Sequence, residues 1–211
     1  TALAFAAEGL KVVVADLDVA GGEGTVGLIR QAGGEALFVR CDVTQDADIA
    51  AAQQSVDERC GRIDILVNNA AFQIHSTKFE DLTPEHFDTT LKTNLYGYFN
   101  LVKAAVPHLK PGGSIVMTGS VTGLMGNKDL LDYSLTKGGI HAFARSLGTH
   151  LAPRGIRVNV IAPGFVETDM TAELDDAAAA ANAINAAQPA PGRYRIVAVR
   201  GSHLILQAHS H

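Results

Sequence analysis

The sequence predicts an α/β fold in which helices cover both faces of a parallel sheet, and three observations carry that prediction. Short β-branched apolar runs alternate with longer segments of helical periodicity from Lys11 to Val160. The runs are apolar almost throughout, as strands buried on both faces must be. The composition also fits a single domain: 211 residues, 47% hydrophobic and 18% charged, can bury one sizeable core.

In chain order, Thr1 to Leu10 reads as a helix closed by Gly9, with no preceding strand to feed it. The expected strands are Val12 to Ala15, Ala36 to Val39, Ile63 to Val67, Ser114 to Met117 and Ile156 to Ile161. Between them, the spacing of apolar residues predicts helices over Gly21 to Ala32, Asp46 to Cys60, Pro84 to Leu109 and Tyr133 to Leu151. Thr83 before Pro84 reads as an N-cap followed by a favoured first-turn proline.

After Met170 the character changes to an alanine-rich helical stretch, Leu174 to Ala187, broken by Pro189, Pro191 and Gly192. Ile196 to Val199 and Leu204 to Leu206 then flank Gly201-Ser202, a weak turn pair, as the arms of a hairpin.

The net charge of −5 and pI near 5.9 offer no basic stripe, which argues against a nucleic acid or an acidic membrane as partner. Cys41 and Cys60 stand without CxxC spacing or a His/Cys cluster, so neither a disulfide framework nor a metal site is expected. No apolar run is long enough to span a bilayer and no signal-peptide layout opens the chain, so a cytoplasmic location is expected.

Chemistry is suggested first by Tyr133 and Lys137, one helical turn apart and on one face. A carbonyl that accepts hydride must also receive a proton, and a free tyrosine near pKa ~10 exchanges one poorly at neutral pH. A neighbouring ammonium favours the phenolate and should bring the pair nearer working pH. Such a pair alone is ordinarily a helix-surface pair. Its reading changes with Ser120, thirteen positions earlier and just past the strand ending near Met117.

With Asn94 in Lys92-Thr93-Asn94-Leu95-Tyr96-Gly97, these residues resemble the four-membered group of the short-chain dehydrogenase/reductase family. Further matches are Asp42-Val43, Asn68-Asn69-Ala70 and Asn159 to Thr168 with Pro163-Gly164, so the resemblance covers roughly Thr1 to Met170. It implies a single dinucleotide-binding oxidoreductase domain over residues 1–211, with 189–211 an atypical tail. The implied fold is a Rossmann-like doubly wound sheet, incomplete at the first strand and at the C-terminal end.

The resemblance further implies roles. Ser120 would hold the substrate oxygen and Tyr133 exchange its proton. Lys137 would grip the nicotinamide ribose and lower the tyrosine pKa, and Asn94 would hold a relay water. Asp16, at a strand end, is the acid expected to accept hydrogen bonds from the adenosine ribose, with Asp18 as its competitor, which favours NAD(H) over NADP(H). Asp42 and Val43 would flank the adenine, Asn68, Ala70, Pro163 and Gly164 would line the cofactor, and Val166 and Thr168 would meet the carboxamide. His75 and His141 read as packing or surface residues, Cys41 as a small buried residue, and Met125 as a candidate substrate contact.

Asn69 to Gln73, Gly126-Asn127 and Leu130 to Tyr133 look like the family's aldehyde or sugar dehydrogenases, whereas Pro163 to Met170 looks like its ketoacyl reductases. The substrate is therefore a small alcohol or carbonyl compound and no more. A homodimer through the 84–109 and 133–151 helices is expected from the family, a tetramer is not.

The chain departs from the family by lacking the first strand and the glycine-rich turn that receives the pyrophosphate. In the family's sheet that strand lies between those matching Val12 to Ala15 and Ile63 to Val67, so a central slot is expected, with Ile196 to Val199 as its hypothetical occupant. A missing start and a shifted reading frame or truncated gene are the expected origins of the two atypical ends. Three functions therefore stay open: an NAD(H)-dependent oxidoreductase, a cofactor-free remnant acting as a binding module, and a piece of a longer enzyme.

Overall fold

The computed structural model describes residues 1–164 and the two strands Tyr194–Val199 and His203–Ala208. The helix expected over Leu174 to Ala187, and Val166 and Thr168, lie outside the described residues. The order is α1 (Ala2–Ala7), β1 (Val12–Asp16), α2 (Val19–Gln31), β2 (Ala36–Arg40), α3 (Asp46–Cys60) and β3 (Ile63–Asn68). Then come α4 (Pro84–Leu91), α5 (Gly97–Ala105), β4 (Leu109–Thr118), α6 (Thr122–Met125), α7 (Leu131–Leu151), β5 (Arg157–Ile161), β6 (Tyr194–Val199) and β7 (His203–Ala208).

Every βαβ connection expected from the alternation is present, and the pairing is parallel within each of two sheets, β1-β2 and β3-β4-β5. Among the described residues the two sheets share no ladder, so β1 and β3, expected on either side of the open slot, belong to different sheets. β6 does not fill it: it pairs antiparallel with β7 in a separate two-stranded sheet, Val199 opposite His203. The hairpin expectation holds, and the hypothesis of a central Ile196 to Val199 strand is corrected.

The largest correction concerns Pro84 to Leu109. It starts as expected, with Thr83 Oγ1 accepting from the His86 N–H at 3.2 Å and Pro84 in the first turn. It then passes through a π turn, Lys92–Tyr96, resumes as α5, and ends at Ala105 before a 3-10 turn, Val106–His108. Pro107 lacks an N–H and restricts Val106, which closes the α-helix there. Leu109 opens β4 instead of closing the helix.

Contacts between helices and loops join the two sheets. Cys41, Ile49 and Ala52 are buried together against Val39, Leu101 and Ala104, and Asn100 Nδ2 donates to Asp46 Oδ1 at 3.1 Å. Gly97 opens α5 where Val43 presses closest; a β-carbon there would come within 2.8 Å of a Val43 methyl. The main core lies under the other sheet, where Tyr98, Ile115, Met117, Ile140, Leu151 and Ile156 are sealed from solvent.

Candidate active site

The carboxyl ends of the parallel strands converge on one rim, the position where open α/β sheets receive ligands. β4 leads through Gly119 into Ser120, and this loop is stitched to the end of β5. The Gly119 N–H donates to the Ile161 carbonyl at 2.8 Å and the Val121 N–H to the Pro163 carbonyl at 3.0 Å. Ser120 Oγ accepts from the Thr122 N–H at 3.1 Å and from Thr122 Oγ1 at 2.9 Å. With both lone pairs used, its own O–H is left to donate.

That donor faces Tyr133 on α7. Burial pushes the Tyr133 phenol above the ordinary tyrosine range, and the Ser120 hydroxyl partly opposes the shift. From its spacing, Lys137 is expected to pull the phenol down. Lys137 is aimed elsewhere: Nζ donates to the Thr118 carbonyl at 2.7 Å and lies 5.3 Å from the centre of the Tyr133 ring and 5.4 Å from that of Tyr98. The side chain has no exposed surface, and burial lowers its pKa to about 8. Tyr98, absent from the sequence reading, donates its own O–H to the same Thr118 carbonyl at 3.2 Å.

Asn94 is fully buried within the π turn, where the Gly97 N–H bonds back to the Lys92 carbonyl. Its carboxamide clamps one residue at two points: Oδ1 accepts from the Phe72 N–H at 2.7 Å and Nδ2 donates to the Phe72 carbonyl at 3.0 Å. Nδ2 also meets Thr136 Oγ1 at 3.1 Å, which ties the turn to α7. Ser120, Tyr133, Lys137 and Asn94 are thus brought together around α7. A π turn has no simple sequence signal, although such turns gather at functional sites.

A second anchor holds the start of α7. Asp132, 2% exposed, accepts from the Thr90 hydroxyl of α4 and lies 3.3 Å from His86 Nε2. His86 in turn meets the Phe72 ring edge-on, 5.7 Å between centres. An acidic residue in the first helical turn also suits the helix dipole. Its partner Thr90 lies 42 positions away, which hides this link in the sequence.

Of the expected cofactor residues, Asp16 ends β1 in solvent and accepts the Asp18 N–H at 3.0 Å. Asp18, its competitor, spends its carboxylate on the N-cap of α2, accepting from the Ala20 N–H at 3.0 Å. Arg40, opposite Asp16 in the β1–β2 register, is paired with Asp48 at 2.7 Å. Asp42 is committed to its own turn, accepting the Thr44 N–H at 2.9 Å and hydroxyl at 2.7 Å, which holds its carboxyl below the usual range. Asn68 donates to the Tyr98 carbonyl at 3.1 Å while its buried Oδ1 meets no partner among the described residues. Ala70 and Gly164 are exposed, and Val43 and Pro163 half-buried.

His75 is exposed beside Gln73, and Met125 is 55% exposed on α6. Cys41 is buried as expected, and burial pushes its thiol up. His141, in contrast, is buried with Nε2 3.2 Å from the Ser120 carbonyl oxygen.

Lys137 gives a pH signature. Its pKa is lower in the fold than in an unfolded chain, so the full burial penalty applies below pH about 8 and is relieved toward 10.5 as the folded side chain loses its proton first. Urea denaturation of the Lys137→Met variant beside the unmutated chain should therefore show the unmutated chain gaining up to about 3 kcal/mol relative to the variant between neutral and strongly basic pH. A pH-independent difference would contradict this.

Comparison with known proteins agrees with this geometry. The family profile described as "Enoyl-(Acyl carrier protein) reductase" matches residues 1–208. YhxC of Bacillus subtilis, an uncharacterized oxidoreductase, is 41% identical over 167 residues, which cover 79% of this chain. The match spans 59% of that relative's own length. Among solved structures, a dehydrogenase/reductase from Sinorhizobium meliloti superposes with a TM-score of 0.80 at 34% identity, covering 85% of this chain and 72% of its own. A 3-ketoacyl-(acyl-carrier-protein) reductase from Brucella melitensis, complexed with NADH, gives a TM-score of 0.75 at 32% identity, covering 80% of this chain and 70% of its own. With the strand-end serine, the Tyr133-to-Lys137 turn and the buried Asn94 in place, the chain belongs to the short-chain dehydrogenase/reductase family.

Proposed function

We propose that the chain is the larger part of an NAD(H)-dependent oxidoreductase that interconverts a small alcohol or sugar hydroxyl and a carbonyl. The observation that carries this reading is the Ser120 hydroxyl, filled as an acceptor by Thr122 and free only to donate, beside a half-buried Tyr133. In the reducing direction Ser120 holds the carbonyl oxygen and Tyr133 gives it a proton. A phenol raised by burial is fully protonated at neutral pH and so is ready to act as that acid.

The nicotinamide, when bound, supplies or accepts the hydride. Asp16 would hold the adenosine ribose, being the exposed strand-end acid, whereas the Asp18 carboxylate is spent on the N-cap of α2. Asp42, Val43, Asn68, Ala70, Pro163 and Gly164 would line its path, with Val166 and Thr168 at the carboxamide. Lys137 would hold the nicotinamide ribose. The unpartnered Asn68 Oδ1 at the end of β3 fits a polar ligand at this rim. Asn94 contributes through the π turn it occupies: its carboxamide is committed to Phe72 and Thr136, so a relay water would bond the turn's backbone.

Turnover of glucose and ribitol with NAD+, and of glyceraldehyde with NADH, should fall at least ~1000-fold in the Tyr133→Phe variant, the scale of a lost general acid. Unchanged turnover would sink the reading.

NAD(H) over NADP(H) is favoured by the exposed Asp16 carboxylate, which repels a 2′-phosphate, and by Arg40 being held by Asp48. The division of the sheet at the cofactor rim favours the second reading, a cofactor-free binding module. Calorimetry separates them: micromolar heats with NADH, weaker with NADPH, are expected, and no heat from either at millimolar concentration would favour the module.

A homodimer is also proposed. Tyr96 and Phe99 on the α4–α5 helix are 62% and 48% exposed, Leu135 on α7 is 51% exposed, and Phe99 meets Phe143 of α7. Light scattering should give the mass of two chains, and a stable tetramer would contradict it. No described helix is long and apolar enough to cross a membrane, and two unpaired cysteines fit a reducing cytoplasm.

A further inference from the structure

We infer that His141 is a positioning residue that sets Ser120 against Tyr133; the inference rests on the catalytic reading above. Tyr133, Lys137 and His141 follow one another at four-residue intervals along α7 and therefore share one face. Tyr133 faces the Ser120 hydroxyl, and Lys137 reaches the Thr118 carbonyl at the end of β4. The third reaches under the loop that carries the serine, with Nε2 3.2 Å from the Ser120 carbonyl oxygen.

A carbonyl only accepts, so the ring must present an Nε2–H. The same oxygen takes the Gly123 N–H at 3.1 Å, and the two donors together fill its lone pairs. The Gly123 bond shapes the turn locally. The His141 bond fixes that turn to α7.

The residue types around the ring fit this role. His141 is 9% exposed, and a β-carbon at Gly119 would stand 2.8 Å from its Nε2, so the imidazole occupies space that only glycine leaves open. One turn earlier, Gly123 lies so close to α7 that a β-carbon there would be 2.6 Å from the Gly138 nitrogen. The serine loop thus rests on α7 at two successive turns. The distance between the Ser120 and Tyr133 hydroxyls is thereby held by one helix, while the bonds to Ile161 and Pro163 hold the loop from the sheet side.

His141 moves no proton in this scheme. Its effect is on geometry, and misplacing a catalytic group by about 1 Å costs up to ~100-fold in rate.

The test uses the full chain, with His141→Leu removing the donor and His141→Gln keeping an N–H at nearly the same place. In the NADH and glyceraldehyde assay, His141→Leu should lower kcat about ten- to a hundred-fold with KM for NADH unchanged, and His141→Gln should recover most of it. Independently of turnover, NMR of the 15N-labelled chain should show an imidazole Nε2–H proton protected from solvent exchange and absent from His141→Leu. An unprotected ring, an unchanged kcat in His141→Leu, or equal losses in both variants would overturn the inference. Full activity in Tyr133→Phe would instead remove the catalytic reading, and the NMR signal would then decide the His141 contact alone.

Discussion

Lys137 has no exposed surface, and an ammonium taken out of water persists only where dipoles and rings replace its hydration. The Thr118 carbonyl supplies one such dipole at the end of β4, and the faces of Tyr98 and Tyr133 supply the rest. Each of those partners is placed by a different element, so β4, α5 and α7 must meet at one point for the charge to be tolerated. The lowering of its pKa to about 8 shows that the compensation is partial. The lysine stays mainly protonated at neutral pH, close enough to its titration to respond to any new charge beside it.

The surroundings of that point explain the irregular helix. A regular α-helix through Asn94 would lack the π turn in which this residue clamps Phe72 and touches Thr136. Phe72 then passes the restraint to His86, and His86 to Asp132 at the head of α7. Tyr133 follows Asp132 directly, so this tyrosine sits in a helix held at its start by α4 and along its length by the π turn.

Much of this was legible in the sequence. The apolar runs gave each central strand to within a few residues because buried parallel strands leave little choice of residue type. Thr83-Pro84 marked a helix start because capping is a local interaction. Ser120, Tyr133, Lys137 and Asn94 were singled out because their order along the chain is specific, and the fold gathers them around α7. What escaped was non-local or depended on the shape of the backbone. Tyr98 and Asp132 carry no assigned contact in the sequence and His141 reads as a packing or surface residue, since their partners lie tens of positions away. The rise in the Tyr133 pKa was missed for the same reason: spacing reveals a neighbouring charge but not how deeply a phenol is buried.

The division of the sheet has a mechanical consequence. Within a continuous sheet, ladder bonds resist sliding between neighbouring strands. Here Asp16 belongs to one ladder and Ser120 follows the other, and the ties between them are side-chain contacts: Cys41, Ile49 and Ala52 with Leu101 and Ala104, Val43 against Gly97, the Asn100–Asp46 bond and the His108–Asp57 pair. Apolar side-chain contacts lack direction and yield to shear more readily than hydrogen-bonded strands do. The spacing between Asp16 and Tyr133 is therefore the most compliant dimension of the rim, while the geometry within each end is stiff.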